Sequence, residues 1–273
     1  MRTAPIQINY LGFPGTSGAD YFDYIIADPV LIPQDDQQYY SEKIVYLPNF
    51  QANDSNLSAP STLLNRQDLG LPETSFIFCC FNNSNKYSSS IFDSWMKILS
   101  KVDNSVLLLY ADNESVKTNL RKEITLRGIK PSRLIFGDRL TMPEYLARFK
   151  VIDLFLDTLP FNAGTTGSDA LRSGLPILTC KGKTFAGRMC ASLLHAVNLP
   201  ELVTCSIEQY ESLAIELATN PKQLKIIRDK LDKNLPSALL YNSTLFTKNI
   251  ESAYSKIYER MQNKSNVEHI IVE

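Results

Sequence analysis

The chain has 273 residues, 44% of them hydrophobic and 21% charged, with a formal net charge of −1. That length accommodates one large domain, or one domain plus a fragment, with a sizeable core, and the near-neutral balance excludes nucleic acid and anionic membrane as expected partners. No apolar h-region follows Met1-Arg2-Thr3-Ala4-Pro5, and no run approaches the roughly 18 apolar residues of a membrane span, so a cytoplasmic protein is expected. Cys79, Cys80, Cys180, Cys190 and Cys205 lack metal-ligand spacing and read as buried thiols.

Residues 1–60 differ from the rest. Pro14, Pro29, Pro33 and Pro48 separate short extended runs such as Tyr24–Ala27 and Ile44–Leu47, which do not make a complete domain. Residues 61–263 alternate strand-like and helical patterns. Ser75–Phe81, Ser105–Tyr110, Leu134–Phe136, Asp153–Asp157, Ile177–Cys180 and Leu202–Cys205 are short continuous apolar runs, as strands covered on both faces should be. Between them, Ile91, Trp95, Ile98, Leu99 and Val102 keep a helical period, Val116–Leu126 and Tyr145–Phe149 look similar, and Phe185–Leu199 is a longer helix. Ser206 and Gln209 frame a capping box, and proline opens the helix Pro221–Leu235. This alternation predicts an α/β fold with one doubly wound, Rossmann-like parallel sheet of about six strands. The apolar stripe from Leu245 to Met261 is long enough to pack on its own sheet or to cross to a neighbouring lobe. A frayed tail is expected over 264–273. No internal repeat of the tetratricopeptide kind, about 34 residues, is present.

The densest chemistry lies in Asp157-Thr158-Leu159-Pro160-Phe161-Asn162-Ala163-Gly164-Thr165-Thr166-Gly167-Ser168-Asp169. A buried strand runs through a small-residue turn into a helix that begins near Thr165 and stops at Gly174-Leu175-Pro176. The first turn of such a helix leaves N–H groups unpaired at the positive end of the dipole, where a diphosphate fits. Thr165 and Thr166 add uncharged donors, and Asp169 could accept from ribose hydroxyls. An ordinary helix capped by Thr165 or Ser168 fits the same residues. Lys86 follows the strand Ser75–Phe81 at its carboxyl end, where α/β ligands bind; its ammonium either meets the diphosphate or is a solvated loop charge.

Four blocks together resemble the C-terminal part of the catalytic region of the protein O-GlcNAc transferases, the family 41 glycosyltransferases, in their bacterial form. They are Ala4–Gln7 running into Leu11-Gly12-Phe13-Pro14-Gly15-Thr16-Ser17-Gly18; Tyr40-Ser41-Glu42-Lys43; Phe81-Asn82 to Lys86 with Trp95; and Asp157–Asp169 with Gly174-Leu175-Pro176. The resemblance implies the UDP-binding lobe of a GT-B enzyme, with residues 1–60 the end of an N-terminal lobe. It implies inverting, metal-independent transfer of N-acetylglucosamine from UDP-GlcNAc to Ser or Thr of an acceptor protein or peptide. By it, Lys86 is the essential phosphate-binding lysine, and Thr165, Thr166 and Asp169 hold the nucleotide. Asn83 stands where relatives often have Gln, Tyr145 where a uracil-stacking His is usual, and Arg148 matches an arginine near the nucleotide. Leu11, Gly12 and Pro14 line the sugar side, with Gly12 permitting backbone approach. Gly164 departs from the family's His.

No cofactor or metal site is expected, since no paired-aspartate motif sits at a strand end and Lys86 with the helix terminus would replace Mg²⁺. The two histidines, His195 in an apolar helical run and His269 in the tail, do not read as catalytic bases, and Lys183 and Arg188 are given no role. The family's remaining catalytic lobe and TPR array are candidate partners. Two alternatives stay open: a non-catalytic UDP-binding or interaction module, and an Asn-glucosyltransferase of the same family.

Overall fold

The structure is a computed structural model that describes residues 2–54 and 64–272. The boundary expected between residues 60 and 61 lies outside them.

Two parallel sheets organise the chain. The first is built from β1 (Ile8–Asn9), β2 (Tyr24–Ala27) and β3 (Lys43–Tyr46). The second takes β4 (Phe76–Cys80), then α1 (Ser89–Lys101), β5 (Ser105–Tyr110), α2 (Glu114–Leu126), β6 (Leu134–Gly137) and α3 (Met142–Arg148). It continues through β7 (Leu154–Leu156), α4 (Thr165–Arg172), β8 (Ile177–Cys180), α5 (Met189–Ala196), β9 (Val203–Thr204) and α6 (Ile207–Thr219). Then α7 (Pro221–Asn234) and α8 (Ser243–Gln262) lead back to the first sheet, where β10 (Ile270–Ile271) is its last strand.

The second sheet has the order β6-β5-β4-β7-β8-β9, every pair parallel. This is the doubly wound arrangement expected from the continuous apolar runs, and each such run became a strand within one or two residues of its expected bounds. Ile77, Phe78, Leu107, Leu154, Phe155 and Ile177 are buried on both faces, which is why these strands show no apolar–polar alternation.

The first sheet has the order β1-β2-β3-β10. Its core joins Ile26, Ile44 and Val45 to Ala253 and Ile257 of α8, and Phe246 of α8 stacks on Tyr10 with ring centroids 6.5 Å apart. The long stripe of α8 therefore crosses to the first sheet. The tail differs from its expected frayed state. Ile270 and Ile271 pair with Val45 and Tyr46, and the His269 ring accepts a hydrogen bond at Nδ1 from the Ile44 amide. Ile270 and Val272 are buried, and that burial outweighs the polar run Asn263-Lys264-Ser265-Asn266 before them.

Two smaller corrections concern α5 and Cys205. The helix expected over Phe185–Leu199 starts as a 3₁₀ turn at Ala186–Arg188 and ends at Ala196, with Asn198 left-handed at φ 56°. Its first turn is pinned because Gly187 packs against the backbone of Gly182 and Pro160; an added Cβ would lie 3.0 Å from the Pro160 carbonyl oxygen. Cys205 is exposed, while the other four thiols are buried.

The seam between the sheets is apolar with a polar clamp. Phe185 and Met189 belong to the first sheet's core, and Phe185 meets Phe50 edge-on at 5.2 Å. Asp28, buried at the end of β2, accepts from the amides of Val30, Leu31 and Phe50 and from the Ser192 hydroxyl of α5. Arg188, for which the sequence suggested no role, bridges the seam by pairing with Asp36 at 2.6 Å and donating to the Leu31 carbonyl.

Candidate functional site

A cleft of about 430 Å³ opens between the two sheets. One wall is made by the loops that follow β4 and β7, through Asn82, Asn83, Lys86, Phe161 and the Gly164–Thr166 turn. Those strands are neighbours at the point where the strand order reverses, and crevices at such points, outside the carboxyl ends of the strands, are where open α/β sheets bind ligands. The other wall comes from the first sheet, through Leu11, Pro14 and Gln51, with Met189 at the seam. A larger cavity, about 550 Å³, lies at the amino ends of the strands. There Arg66 is already consumed by Asp153 at 2.8 Å and by the carbonyls of Val151, Glu73 and Ser75.

The α4 terminus is open. Ser88, Asn113, Ser206, Asn220 and Asn242 cap α1, α2, α6, α7 and α8 with their side chains, but the N-cap of α4 is Gly164, and no side chain caps that helix. Neither Thr165 nor Ser168 acts as the cap. The first-turn N–H groups therefore face the cleft with the dipole's positive end behind them. Lys86, at the end of a 3₁₀ turn, projects into the same space. Its Nζ donates to the Asn162 carbonyl at 3.0 Å and stands 3.9 Å from the centroid of the Phe161 ring. Burial lowers the pKa of this ammonium, opposed by the negative charge of Asp157. Asn83 turns back to accept from the Asn85 amide at 3.2 Å, holding the turn that presents Lys86.

Beneath this wall lies a carboxylate whose role was not legible in the sequence. Asp157 is 1% exposed and accepts from Asn82 Nδ2, the amides of Thr158 and Ala163, and the Thr179 hydroxyl, at 2.7–3.1 Å. Burial pushes its pKa up, against those four donors. Asn82 passes the constraint on, because its Oδ1 accepts from the Thr166 hydroxyl of α4 at 2.5 Å. Asp157 thereby ties the β4 loop to the first turn of α4.

Tyr145, Arg148 and Asp169 lie outside the lining of this cleft. Tyr145 and Asp169 meet through a side-chain hydrogen bond that lowers the Asp169 pKa, while burial, the larger effect, raises it. The Tyr145 ring packs edge-on against Phe149 at 5.1 Å. Arg148 shares that helix face, as a spacing of three implies, but is 3% exposed; its guanidinium stacks on Phe81 at 3.8 Å and donates to the Asp138 carbonyl. Burial lowers its pKa.

On the opposite wall Leu11 and Pro14 enter the cleft, whereas Gly12 does not line it. The left-handed residue in that turn is Leu11, at φ 48°, and a Cβ on Gly12 would meet only the Tyr10 carbonyl at 3.8 Å. Glu42 explains why two of the sequence blocks belong together. It is 1% exposed and accepts from Thr16 Oγ1, from the Ser17 amide and hydroxyl, and from Asn9, which also donates to the Gly15 carbonyl. Desolvation alone would raise its pKa, but these donors together hold it below the usual carboxylate value. Gln51, Asn82, Phe161 and Met189 complete the lining and were not assigned roles from sequence. His195 is exposed on α5, and His269 serves the first sheet. Among the described residues there is no cluster of three His, Cys, Asp or Glu that could hold a metal, and no helix long and apolar enough to cross a membrane.

The profile described as Glycosyl transferase family 41 matches residues 1–57 and 51–250. The chain belongs to that family. Among curated relatives it is 34% identical over 265 residues to the probable UDP-N-acetylglucosamine–peptide N-acetylglucosaminyltransferase SEC of Arabidopsis thaliana, covering 94% of this chain and 27% of that protein. Among solved structures, a mutant O-GlcNAc transferase of Thermobaculum terrenum superposes with a TM-score of 0.86 at 28% identity, covering 96% of this chain and 50% of that one. The lipopolysaccharide glycosyltransferase WaaG, at 16% identity and a TM-score of 0.60 over 87% of this chain and 64% of its own, shares the fold. The fold is thus the Rossmann-like parallel architecture of GT-B glycosyltransferases. The chain spans about a quarter of the SEC protein and half of the Thermobaculum chain.

Proposed function

We propose that the cleft takes UDP-N-acetylglucosamine, with the diphosphate between Lys86 and the first turn of α4, and that the family 41 protein transfers the sugar to Ser or Thr hydroxyls of an acceptor protein or peptide, with inversion. The observation that carries this reading is the uncapped α4 terminus facing the Lys86 ammonium at the switch point of the second sheet. As the acceptor oxygen attacks the anomeric carbon and gives its proton to water or to a base on the acceptor side, the electron pair of the breaking C–O bond leaves with UDP. The charge that develops there would be met by Lys86 and the α4 amides, which is the part a metal plays in other transferases, so metal-independent chemistry is part of the proposal. Asp169 and Tyr145 would lie on the ribose and base side. The five cysteines are all free thiols, which fits a reducing, cytoplasmic setting.

Neither histidine lines the cleft, and that favours a second reading, in which these residues bind UDP while further catalytic residues, on the same polypeptide or in trans, supply the acceptor side. Transfer from labelled UDP-GlcNAc to a serine-containing peptide, with and without EDTA, separates the two. We expect little transfer by the 273-residue chain alone, and donor binding that EDTA does not change. Robust transfer abolished by Lys86→Ala would place the acceptor machinery within these residues, and donor binding that needs added Mg²⁺ would contradict the metal-independent proposal.

A further inference from the structure

The wall opposite Lys86 carries an unpaired polar atom. Gln51 lines the cleft and is 8% exposed, yet its Oε1 is buried with no hydrogen-bond partner among the described residues. Buried side-chain oxygens are nearly always paired, and this one, which has no accessible surface of its own, reaches the cleft that Gln51 lines when the carboxamide turns about its last bond.

The backbone beneath it is fixed. The Phe50 amide donates to Asp28 at 3.1 Å, Asn49 Nδ2 donates to the Gln51 carbonyl at 2.9 Å, and the Asn53 amide donates to the Leu240 carbonyl at 2.9 Å. Asp28 is in turn held by Ser192 of α5, so the position of Gln51 is set by the same seam that sets the width of the cleft. The amide is presented by a rigid segment, as a recognition contact requires.

Its chemistry says what it can read. An amide oxygen accepts hydrogen bonds and repels an anion, and the Lys86 ammonium and the helix terminus that attract phosphate lie on the other wall. A nucleotide diphosphate sugar with its diphosphate against Lys86 and α4 would extend its sugar toward Leu11, Pro14 and Gln51. We propose that Gln51 is a specificity-determining residue whose carboxamide turns into the cleft so that its Oε1 accepts a hydrogen bond from a hydroxyl or the acetamido N–H of the donor sugar. This inference rests on the UDP-sugar reading given above.

The test is calorimetric titration of the full chain and of Gln51→Met, nearly isosteric but without a hydrogen-bonding amide, with UDP, UDP-GlcNAc and UDP-glucose. We expect UDP to bind both proteins within twofold and UDP-GlcNAc to bind Gln51→Met at least fivefold more weakly. A loss shared by UDP-glucose assigns a donor that both sugars carry, a ring hydroxyl or the group at position 2, and a loss confined to UDP-GlcNAc assigns the acetamido N–H. Equal affinities for all three ligands in both proteins, or a UDP loss as large as the sugar-nucleotide loss, would overturn the assignment. If the wild-type chain binds no UDP, the reading beneath falls and this inference with it. Should Gln51→Met fail to fold by thermal unfolding, Gln51→Asn, which withdraws the amide by one methylene, is titrated against the same ligands under the same criterion.

Discussion

The two walls of the cleft are each built on one buried carboxylate, and the pKa values of the two are shifted in opposite directions. Asp157 holds the phosphate wall from deep in the second core, where four donors do not repay desolvation and its pKa is raised. Glu42 holds the sugar wall from the first sheet; it is as inaccessible to water as Asp157 but has less protein packed around it, and its donors carry its pKa down. Hydrogen bonds decide the sign where little protein surrounds the carboxylate, and desolvation decides it in the deep core. The phosphate wall is therefore rigid through burial, and the sugar wall through a clamp that responds to pH.

The largest expected effect comes from breaking the deeper of the two. Asp157→Ala strands the Thr179 hydroxyl and the Thr158 and Ala163 amides in the core, while Asn82 keeps the Thr158 hydroxyl, and should destabilise the fold by about 3 kcal/mol, since each stranded donor costs roughly 1–3 kcal/mol and neighbours relax in part. Denaturant unfolding measures this, and a change under 1 kcal/mol would show that the donors find other partners.

Glu42→Gln sharpens the comparison through pH. A carboxylate with a lowered folded pKa contributes stability above its unfolded value, near 4.5, that is lost as pH falls through the folded pKa. Wild type should therefore lose stability on acidification below that value more steeply than Glu42→Gln. At neutral pH the variant should be about 1 kcal/mol less stable, for weakened bonds to Thr16 and Ser17. Parallel acid-unfolding curves would remove Glu42 as the clamp.

The smallest effect on stability is expected at the cap. Gly164→Asp supplies the missing N-cap side chain with only Met189 Cε nearby, 3.5 Å from an added Cβ, and should stabilise the fold by roughly 0.5 kcal/mol. The same carboxylate occupies the α4 amides and repels a diphosphate, so UDP binding should weaken even as the melting temperature rises. Both quantities moving in the same direction would contradict an anion site at that terminus.

The second sheet was almost wholly legible, because strands buried on both faces write themselves as continuous apolar runs and helices between them keep their caps. The first sheet was not. β1 and β10 are two residues long, and β10 follows a polar stretch that reads as a tail. In the site, Lys86, Thr165 and Thr166 were read from local motifs and Asn83, Leu11 and Pro14 from the family resemblance, and all six line one cleft or support it. Gln51 and the roles of Glu42 and Asp157 were missed because their meaning is non-local. Glu42 acts on a loop 25 residues away, and Asp157 on Asn82 across 75. Neither spacing has a local signature. Gly12 drew attention as the glycine of its turn, but the strained position is taken by Leu11, whose side chain shows nothing of its φ.

The most direct measurement is calorimetric titration of UDP into the wild-type chain and Lys86→Ala across pH. If the diphosphate rests on Lys86 and the α4 terminus, UDP binds without metal, and Lys86→Ala weakens it by about 1.5–3 kcal/mol, the range for hydrogen bonds to charged groups, with little change in melting temperature. Wild-type affinity should also fall on the alkaline side with a break below the ordinary lysine value of 10.5, because burial lowers the ammonium's pKa, and that break should vanish in Lys86→Ala. Equal affinities and superimposable pH profiles for the two proteins would contradict it.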